Sequence, residues 1–262
     1  MKERLDTLRA YARAVAERAH VPYSGHPVAS VLLLSDGTWV PGVRVESASF
    51  SLVIPALVNA VTTAVAIGRT DIVAAVLSRA VLPEETVYMT SLPGGPLTQA
   101  GDDAFQAPGV ETLPAVGTSR IPFLDVPPPA DPRAGIALAR QAAQRAYVPA
   151  SDFPVGCVLV SGKDRLIPGV NVEHPDWGRT LCAERNALGT AVTWGLLDLR
   201  GLYLTCLKDP AGSPCGACRQ LLAELAPEAT VWMDRNNEPP EKALPSQLLP
   251  GAFHGRALVR PA

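Results

Sequence analysis

The stretch "TLCAERNALGTAV" at residues 180–192 has a counterpart earlier in the same chain, "VIPALVNAVTTAV" at residues 53–65. Aligned without a gap, the two share Ala, Asn, Ala, Thr, Ala and Val, while Cys182 and Glu184 stand where the earlier copy has Pro55 and Leu57. The correspondence extends outward. At a constant offset of 127, residues 4–83 align with 131–210 with 28 identities in 80 positions, including "VPYSGHPV" against "VPASDFPV" and "PGVRVE" against "PGVNVE". A repeat of this length is a duplicated domain. Past Pro83 and Pro210 the copies diverge and meet again at "TVYM" (86–89) and "TVWM" (230–233). Between those anchors the first copy has only Glu84 and Glu85 where the second has residues 211–229, so "PCGACRQLLAEL" is without a counterpart.

Composition suits two globular units: 262 residues, 47% hydrophobic and 18% charged, large enough to bury a core. A net charge of −2 gives no signal for binding a polyanion. The beginning, "MKERLDTLRAYARAV", lacks the apolar core of a secretory signal, which makes a cytoplasmic location the expectation. The uncharged run "SLVIPALVNAVTTAVAIG" (51–68) approaches the length of a membrane span, but Pro55, Asn59, Thr62 and Thr63 interrupt it and its counterpart is charged. A buried core helix is expected there, and no membrane partner.

All five cysteines, Cys157, Cys182, Cys206, Cys215 and Cys218, lie in the second copy, and an odd number argues against a disulfide framework. Cys157 and Cys206 sit in strand-like apolar runs and read as buried structural thiols. The other three open helices. "PRAGIALARQAAQRAY" is helical, "GCVLV" and "IPGVNVE" are strands around the turn "SGKDR", and "CAERNALGTAVTW" is a helix ending at Gly195. "LYLTC", "CGACRQLLAEL" and "ATVWM" continue as strand, helix and strand. Helix N-termini favour thiolate over thiol. Cys215 and Cys218, three apart, can grip one ion while Cys182 approaches from the other helix. Three thiolates leave a tetrahedral zinc one open position, as in catalytic sites. Glu184 stands two residues from a ligand, placed to move a proton between water and substrate. Cys-x-Glu followed by Pro-Cys-x-x-Cys is the signature of zinc deaminases, with Cys in place of the first His.

At this point the chain resembles the cytidine deaminases that act on free nucleosides. "YVPASDFPVGCVLV", "GVNVE", "LCAERNAL", "SPCGACRQLLAEL", "VWM" and "SQLLPGAF" occur in that family's order from residue 131 to about 255. The resemblance implies one Zn²⁺ per chain on Cys182, Cys215 and Cys218, with Glu184 shuttling protons from water to N3 of cytosine and on to departing ammonia. It places Phe153 against the pyrimidine, and Asn171 and Glu173 on the ribose 3′-hydroxyl. The Ala183 N–H meets the 2-carbonyl, the Ser213 carbonyl receives the amine, and Phe253 matches an aromatic lining a pocket in the family's oligomers. It also gives Arg185, as in members with three cysteines, hydrogen bonds to ligand sulfurs that compensate their charge. The products are uridine or deoxyuridine. After "NVE" the chain departs from the family: "HPDWG" introduces His174 and Trp177, so subunit contacts near the pocket are expected to differ, with His174 at a surface or interface.

The implied fold is two tandem α/β/α deaminase domains, each a mixed sheet flanked by helices. The first is degenerate: Pro55, Leu57, Arg44 and His26 replace Cys182, Glu184, Asn171 and Phe153, while Glu46 retains the position of Glu173. The boundaries read as 1–92 for the degenerate domain, 93–130 for a Pro/Gly-rich linker containing "DVPPPADP", and 131–262 for the catalytic domain. By resemblance to tandem members, although the copies stand here in reversed order, two chains form a homodimer imitating a tetramer. A nucleic-acid partner is not expected, because no basic run exceeds two residues. The competing readings are an editing deaminase, a non-enzymatic zinc regulator, and a deaminase of a related cytosine nucleoside or antibiotic such as blasticidin S.

Overall fold

The computed structural model describes residues 2–255 and Leu258. Each copy opens with an amphipathic helix that lies on a five-stranded sheet, and a second, almost wholly buried helix covers the sheet's other face. In the first copy these are α1 (Lys2–Ala16), β1 (Ala29–Leu34), β2 (Trp39–Val43), α2 (Ala56–Ala66), β3 (Ile72–Leu77), α3 (Pro83–Met89), β4 (Thr98–Gly101) and β5 (Ala104–Gln106). The second copy has α4 (Pro132–Ala143), β6 (Val155–Ser161), β7 (Leu166–Val170), α5 (Ala183–Thr193), β8 (Leu199–Cys206), α6 (Gly216–Leu225), β9 (Thr230–Met233), β10 (Glu241–Ala243) and α7 (Pro245–Leu248). The strand orders correspond: β2-β1-β3-β5-β4 and β7-β6-β8-β9-β10.

The repeat is reproduced in detail. Isolated bridges His20–Val45 and Val45–Ile54 recur as Tyr147–Val172 and Val172–Leu181, fastening the chain just ahead of α2 and α5. Close approach is set by glycine: a Cβ on Gly42 would lie 2.3 Å from the Ala60 nitrogen, and one on Gly169 2.2 Å from the Ala183 carbonyl oxygen. Each buried helix can therefore rest directly on its hairpin. The run weighed as a membrane span becomes α2, in which every residue but Val58 is buried. Among the described residues no helix is long and apolar enough to cross a membrane.

Three sequence expectations change. The "TVYM" and "TVWM" anchors are not equivalent, since the former ends helix α3 and the latter is strand β9. What replaces the cysteine helix α6 in the first copy is α3, a shorter helix opened by Pro83 and capped by Glu85. The strands of the first sheet are also not mixed: β1 to β5 pair antiparallel throughout, with a parallel bridge only from Trp39 to Ser119 at the edge, whereas β8 and β9 are parallel. A parallel neighbour needs a long crossover, which α6 supplies; α3 leads instead into the hairpin β4–β5, which returns antiparallel to β3. Finally, residues 93–130 are folded well beyond a spacer. They supply β4 and β5, bury Leu97, Phe105 and Leu113, and run along the first sheet's edge, where Arg120 N–H meets the Trp39 carbonyl.

The two copies share one core. Val43, Val45 and Ile54 of the first pack with Leu181, Leu188 and Ala191 of the second. Aligned threonines meet at its centre: Thr63 and Thr190, 127 positions apart, place their hydroxyls 2.8 Å from each other. Asn59 donates to the Val43 and Gly189 carbonyls, and Asn186 to the Thr62 hydroxyl. A pseudo-twofold axis thus passes between α2 and α5.

Candidate active site

Cys182 and Cys215 are the residues immediately before α5 and α6, in extended conformation, with Cys218 in the first turn of α6. The sulfurs of Cys182 and Cys215 are 3.7 Å apart, those of Cys215 and Cys218 3.5 Å, and all three lie within 4.8 Å of one another. A tetrahedral zinc with Zn–S bonds of about 2.3 Å requires sulfurs about 3.8 Å apart, so the donor set fits such an ion in type and spacing. Among the described residues no other group of His, Cys, Asp or Glu could hold a metal ion in this way.

Glu184 is 3% exposed beside this cluster. Burial, reinforced by the charge of Cys215, pushes its carboxyl up to about 7, against the opposing pull of its own N–H and of Arg185. A carboxyl that can gain or lose a proton near neutrality suits repeated proton transfer. The first α5 amide that meets a helical carbonyl is Asn186, bonded to Cys182, which leaves the Ala183 N–H without a backbone partner. Cys157 lies behind the site, fully buried, its thiol pushed well up by burial.

Cys182, Cys215 and Glu184 open onto a pocket of about 530 Å³, also walled by Phe153, Asn171, Glu173 and Ser213, with Cys218 fully buried behind them. Asn171 is held on both ends, accepting from Val155 N–H and donating to the Phe153 carbonyl. Glu173 accepts from the N–H groups of Ala150 and Ser151 and from the Ser151 hydroxyl, fixing the loop that carries Phe153. Five further lining residues, Ser151, Val155, Trp177, Thr180 and Cys206, are not among the site residues the sequence points to. Cys206 is not a plain core thiol as expected; it is half-buried in the pocket wall, and burial lifts its pKa to about 12. Ser151 was legible, since "VPYSGHPV" and "VPASDFPV" retain the serine together with the glutamate it binds.

Two residues implied by the resemblance lie outside this chain's own pocket. Phe253 is 55% exposed and does not line this pocket; its carbonyl is held by Gln220. Arg185 makes no hydrogen bond to a sulfur. Its Nη2 donates to the Leu52 carbonyl of the first copy, and its Nε is buried without a partner among the described residues. His174 is likewise turned to the first copy, 6% exposed and stacked on Tyr88 with ring centroids 5.2 Å apart.

Both copies match sequence profiles described as cytidine and deoxycytidylate deaminase zinc-binding region, one over residues 1–91 and the other over 131–234. A cytidine deaminase of Halalkalibacterium halodurans is 40% identical over 114 residues, spanning 43% of this chain and 86% of that protein. This chain belongs to the cytidine and deoxycytidylate deaminase family. The deaminase is also 37% identical to a cytidine deaminase of Sporosarcina psychrophila over 119 residues, covering 45% of this chain and 88% of the relative. Among solved structures, a cytidine deaminase from Burkholderia pseudomallei is similar at 34% identity and a TM-score of 0.44, covering 46% of this chain and 98% of that one. Within the deaminase the first copy keeps the fold without the metal ligands. Glu46 still accepts from the amides of Tyr23 and Ser24 and from the Ser24 hydroxyl, the same bonds that Glu173 makes. That glutamate's shared task in both copies is to hold a loop.

Proposed function

We propose that this chain is a zinc-dependent hydrolase that converts cytidine and 2′-deoxycytidine to uridine and 2′-deoxyuridine, releasing ammonia, in pyrimidine salvage. The observation that carries this reading is a buried carboxyl beside three zinc-spaced sulfurs, at the floor of a nucleoside-sized pocket. Zinc held by Cys182, Cys215 and Cys218 supplies a Lewis acid that makes water nucleophilic at neutral pH. Glu184 takes the proton that water gives up, delivers it to N3 of the ring, and moves a second proton to the amino group as it leaves. Phe153 stacks on the pyrimidine, the Ala183 N–H donates to the 2-carbonyl, and the Ser213 carbonyl accepts from the amine. Asn171 and Glu173, both in the wall, receive the ribose. Arg185 opposes the net negative charge of three thiolates and Zn²⁺ from the first turn of α5 without touching a sulfur.

Among the described residues no lysine or arginine lines the pocket, which favours a free nucleoside over a 5′-nucleotide or a nucleic-acid strand. Loss of ultraviolet absorbance with cytidine, deoxycytidine, dCMP, cytosine and blasticidin S tests the substrate class. Fastest turnover of dCMP or blasticidin S would overturn it. The reading extends to a cytoplasmic homodimer. Phe50, Trp177 and Phe253 are 88%, 61% and 55% exposed, aromatic surface that a second chain would cover, with Phe253 then available to the partner's pocket.

A further inference from the structure

In the first copy, the place corresponding to the catalytic pocket has not closed. A cavity of about 180 Å³ persists there, walled by the start of α2 and by α3. Arg44 lines it where the catalytic copy has Asn171, Arg79 where it has Cys206, and a third guanidinium, Arg179, enters from the second copy. A pocket that had merely lost its use would be filled by apolar side chains to ordinary packing density. This one is instead lined by guanidinium groups, each already paired with one carboxylate.

The donors are only partly used. The fork of Arg79 lies across both oxygens of Glu85, which also accepts from Leu82 N–H, so that pair is neutral and fixed. Arg44 Nη2 reaches Glu46 at 3.1 Å, but its Nε is buried with no partner among the described residues. Arg179 donates through Nε to Asp176 and through Nη1 to the Glu84 carbonyl, leaving Nη2. In α2 the first amide to meet a backbone carbonyl is Asn59, bonded to Pro55, so the N–H groups of Ala56 and Leu57 at the cavity wall have no backbone partner among the described residues. Glu84, exposed, also lines the cavity. Guanidinium and amide N–H groups converging on one small space call for a ligand group with several acceptor oxygens.

We propose that this relict pocket binds a phosphate group and that its occupation is felt at the catalytic pocket. With about 180 Å³ against about 530 Å³ for the catalytic pocket, it takes the head group alone, whether inorganic phosphate or the end of a larger molecule. Arg179 is the link. It stands between Trp177 and Thr180, both in the catalytic wall, while its own guanidinium reaches across to α3. A ligand that engages Arg179 repositions that turn, and by reciprocity nucleoside binding alters affinity for the anion.

The test uses the full zinc-loaded chain, with inorganic phosphate titrated against chloride at constant ionic strength. Saturable one-to-one shifts of the Ala56 and Leu57 amide resonances are expected, with a change in nucleoside KM of about fivefold or more. Arg44→Lys, which keeps the charge but lacks the Nε donor, should weaken phosphate at least about tenfold, the loss of a charge-assisted hydrogen bond, and leave turnover without phosphate unchanged. Uridine 5′-monophosphate as a second titrant separates the sources: equal affinity means the head group suffices, tighter binding that the remainder contributes. Shifts that do not saturate, that chloride reproduces, or that persist unchanged in Arg44→Lys overturn the site. An unaltered KM at saturating phosphate overturns the coupling. The amide shifts are read without substrate, so they stand or fall independently of the nucleoside assignment.

Discussion

The threonine pair on the pseudo-twofold axis makes an asymmetric prediction from a symmetric-looking contact. Thr63 and Thr190 are each 1% exposed, and their hydroxyls are 2.8 Å apart. Thr190 already donates its hydroxyl proton to the Asn186 carbonyl at 3.0 Å, so the shared proton must come from Thr63. Thr63→Val removes one incoming bond from an oxygen that keeps its own acceptor, a loss of about 0.5–1.5 kcal/mol. Thr190→Val strands the buried Thr63 hydroxyl without an acceptor, which costs about 1–3 kcal/mol. At about 2–4 °C per kcal/mol for chains approaching this size, a 2 kcal/mol loss in Thr190→Val lowers Tm by about 4–8 °C. The double variant removes donor and acceptor together and is expected to be more stable than Thr190→Val alone, with a coupling of about 1 kcal/mol. The Asn186 carbonyl does not suffer, being inside α5 with a helical N–H still bonded. The assay is equilibrium urea unfolding at saturating zinc, followed by circular dichroism and tryptophan fluorescence with coincident transitions required. If Thr63→Val is the costlier single change, or if the two changes add, the donor assignment is wrong and the two helices do not communicate through this pair.

Four further outcomes follow from the site and its supports. Metal analysis should give one zinc per chain, and Glu184→Gln should retain it while losing turnover by several orders of magnitude; near-normal activity would assign the protons to another group. Gly169→Ala drives a methyl into the Ala183 carbonyl at 2.2 Å and the Cys157 sulfur at 2.8 Å, displacing the start of α5; stability should fall by about 1–3 kcal/mol and zinc should be lost more readily to a chelator, whereas the equivalent Gly42→Ala should cost stability and leave zinc retention unchanged. Burial opposes ionisation of Asp234, but Arg140, Thr205 and the Asn236 N–H outweigh it and hold its carboxyl below the usual value. Its stabilisation is therefore complete above the unfolded carboxyl pKa and lost as pH falls through the lower folded one, a loss that Asp234→Asn should abolish in acid unfolding. A chain of residues 128–262, deprived of Leu52 and the rest of the α2 interface, should either form a true tetramer or lose activity; a fully active monomer on a sizing column would remove the first copy from any structural part in catalysis.

The metal site was legible because its ligands are fixed by two short local patterns, and because each pattern opens a helix that the apolar spacing around it specifies. The two-domain fold was legible from the repeat alone. What escaped the sequence depended on partners distant along the chain. The "TVYM" match is four residues of ambiguous propensity, and Pro83 with Glu85 three positions after Leu82 turns them into a helix. In β4 every residue is exposed, so it carries no alternation from which a strand could be read; Ala104 and Phe105, fully buried in its neighbour β5, tie the hairpin to the core. The destination of Arg185 depends on a carbonyl 133 residues away in the other copy, a distance at which local pattern is silent.

The axis between α2 and α5 also changes how the assembly responds to dilution. When two halves that pack through a buried core are separate molecules, their association depends on how many are present. Here residues 93–130 tie them into one chain along a folded path, so each catalytic half meets its neighbour at a fixed, high effective concentration set by geometry. The neighbour no longer has to match its own image. Its positions facing the axis remain under the constraint of the pairing, while those facing away from it, at the former metal site, are free to acquire different chemistry.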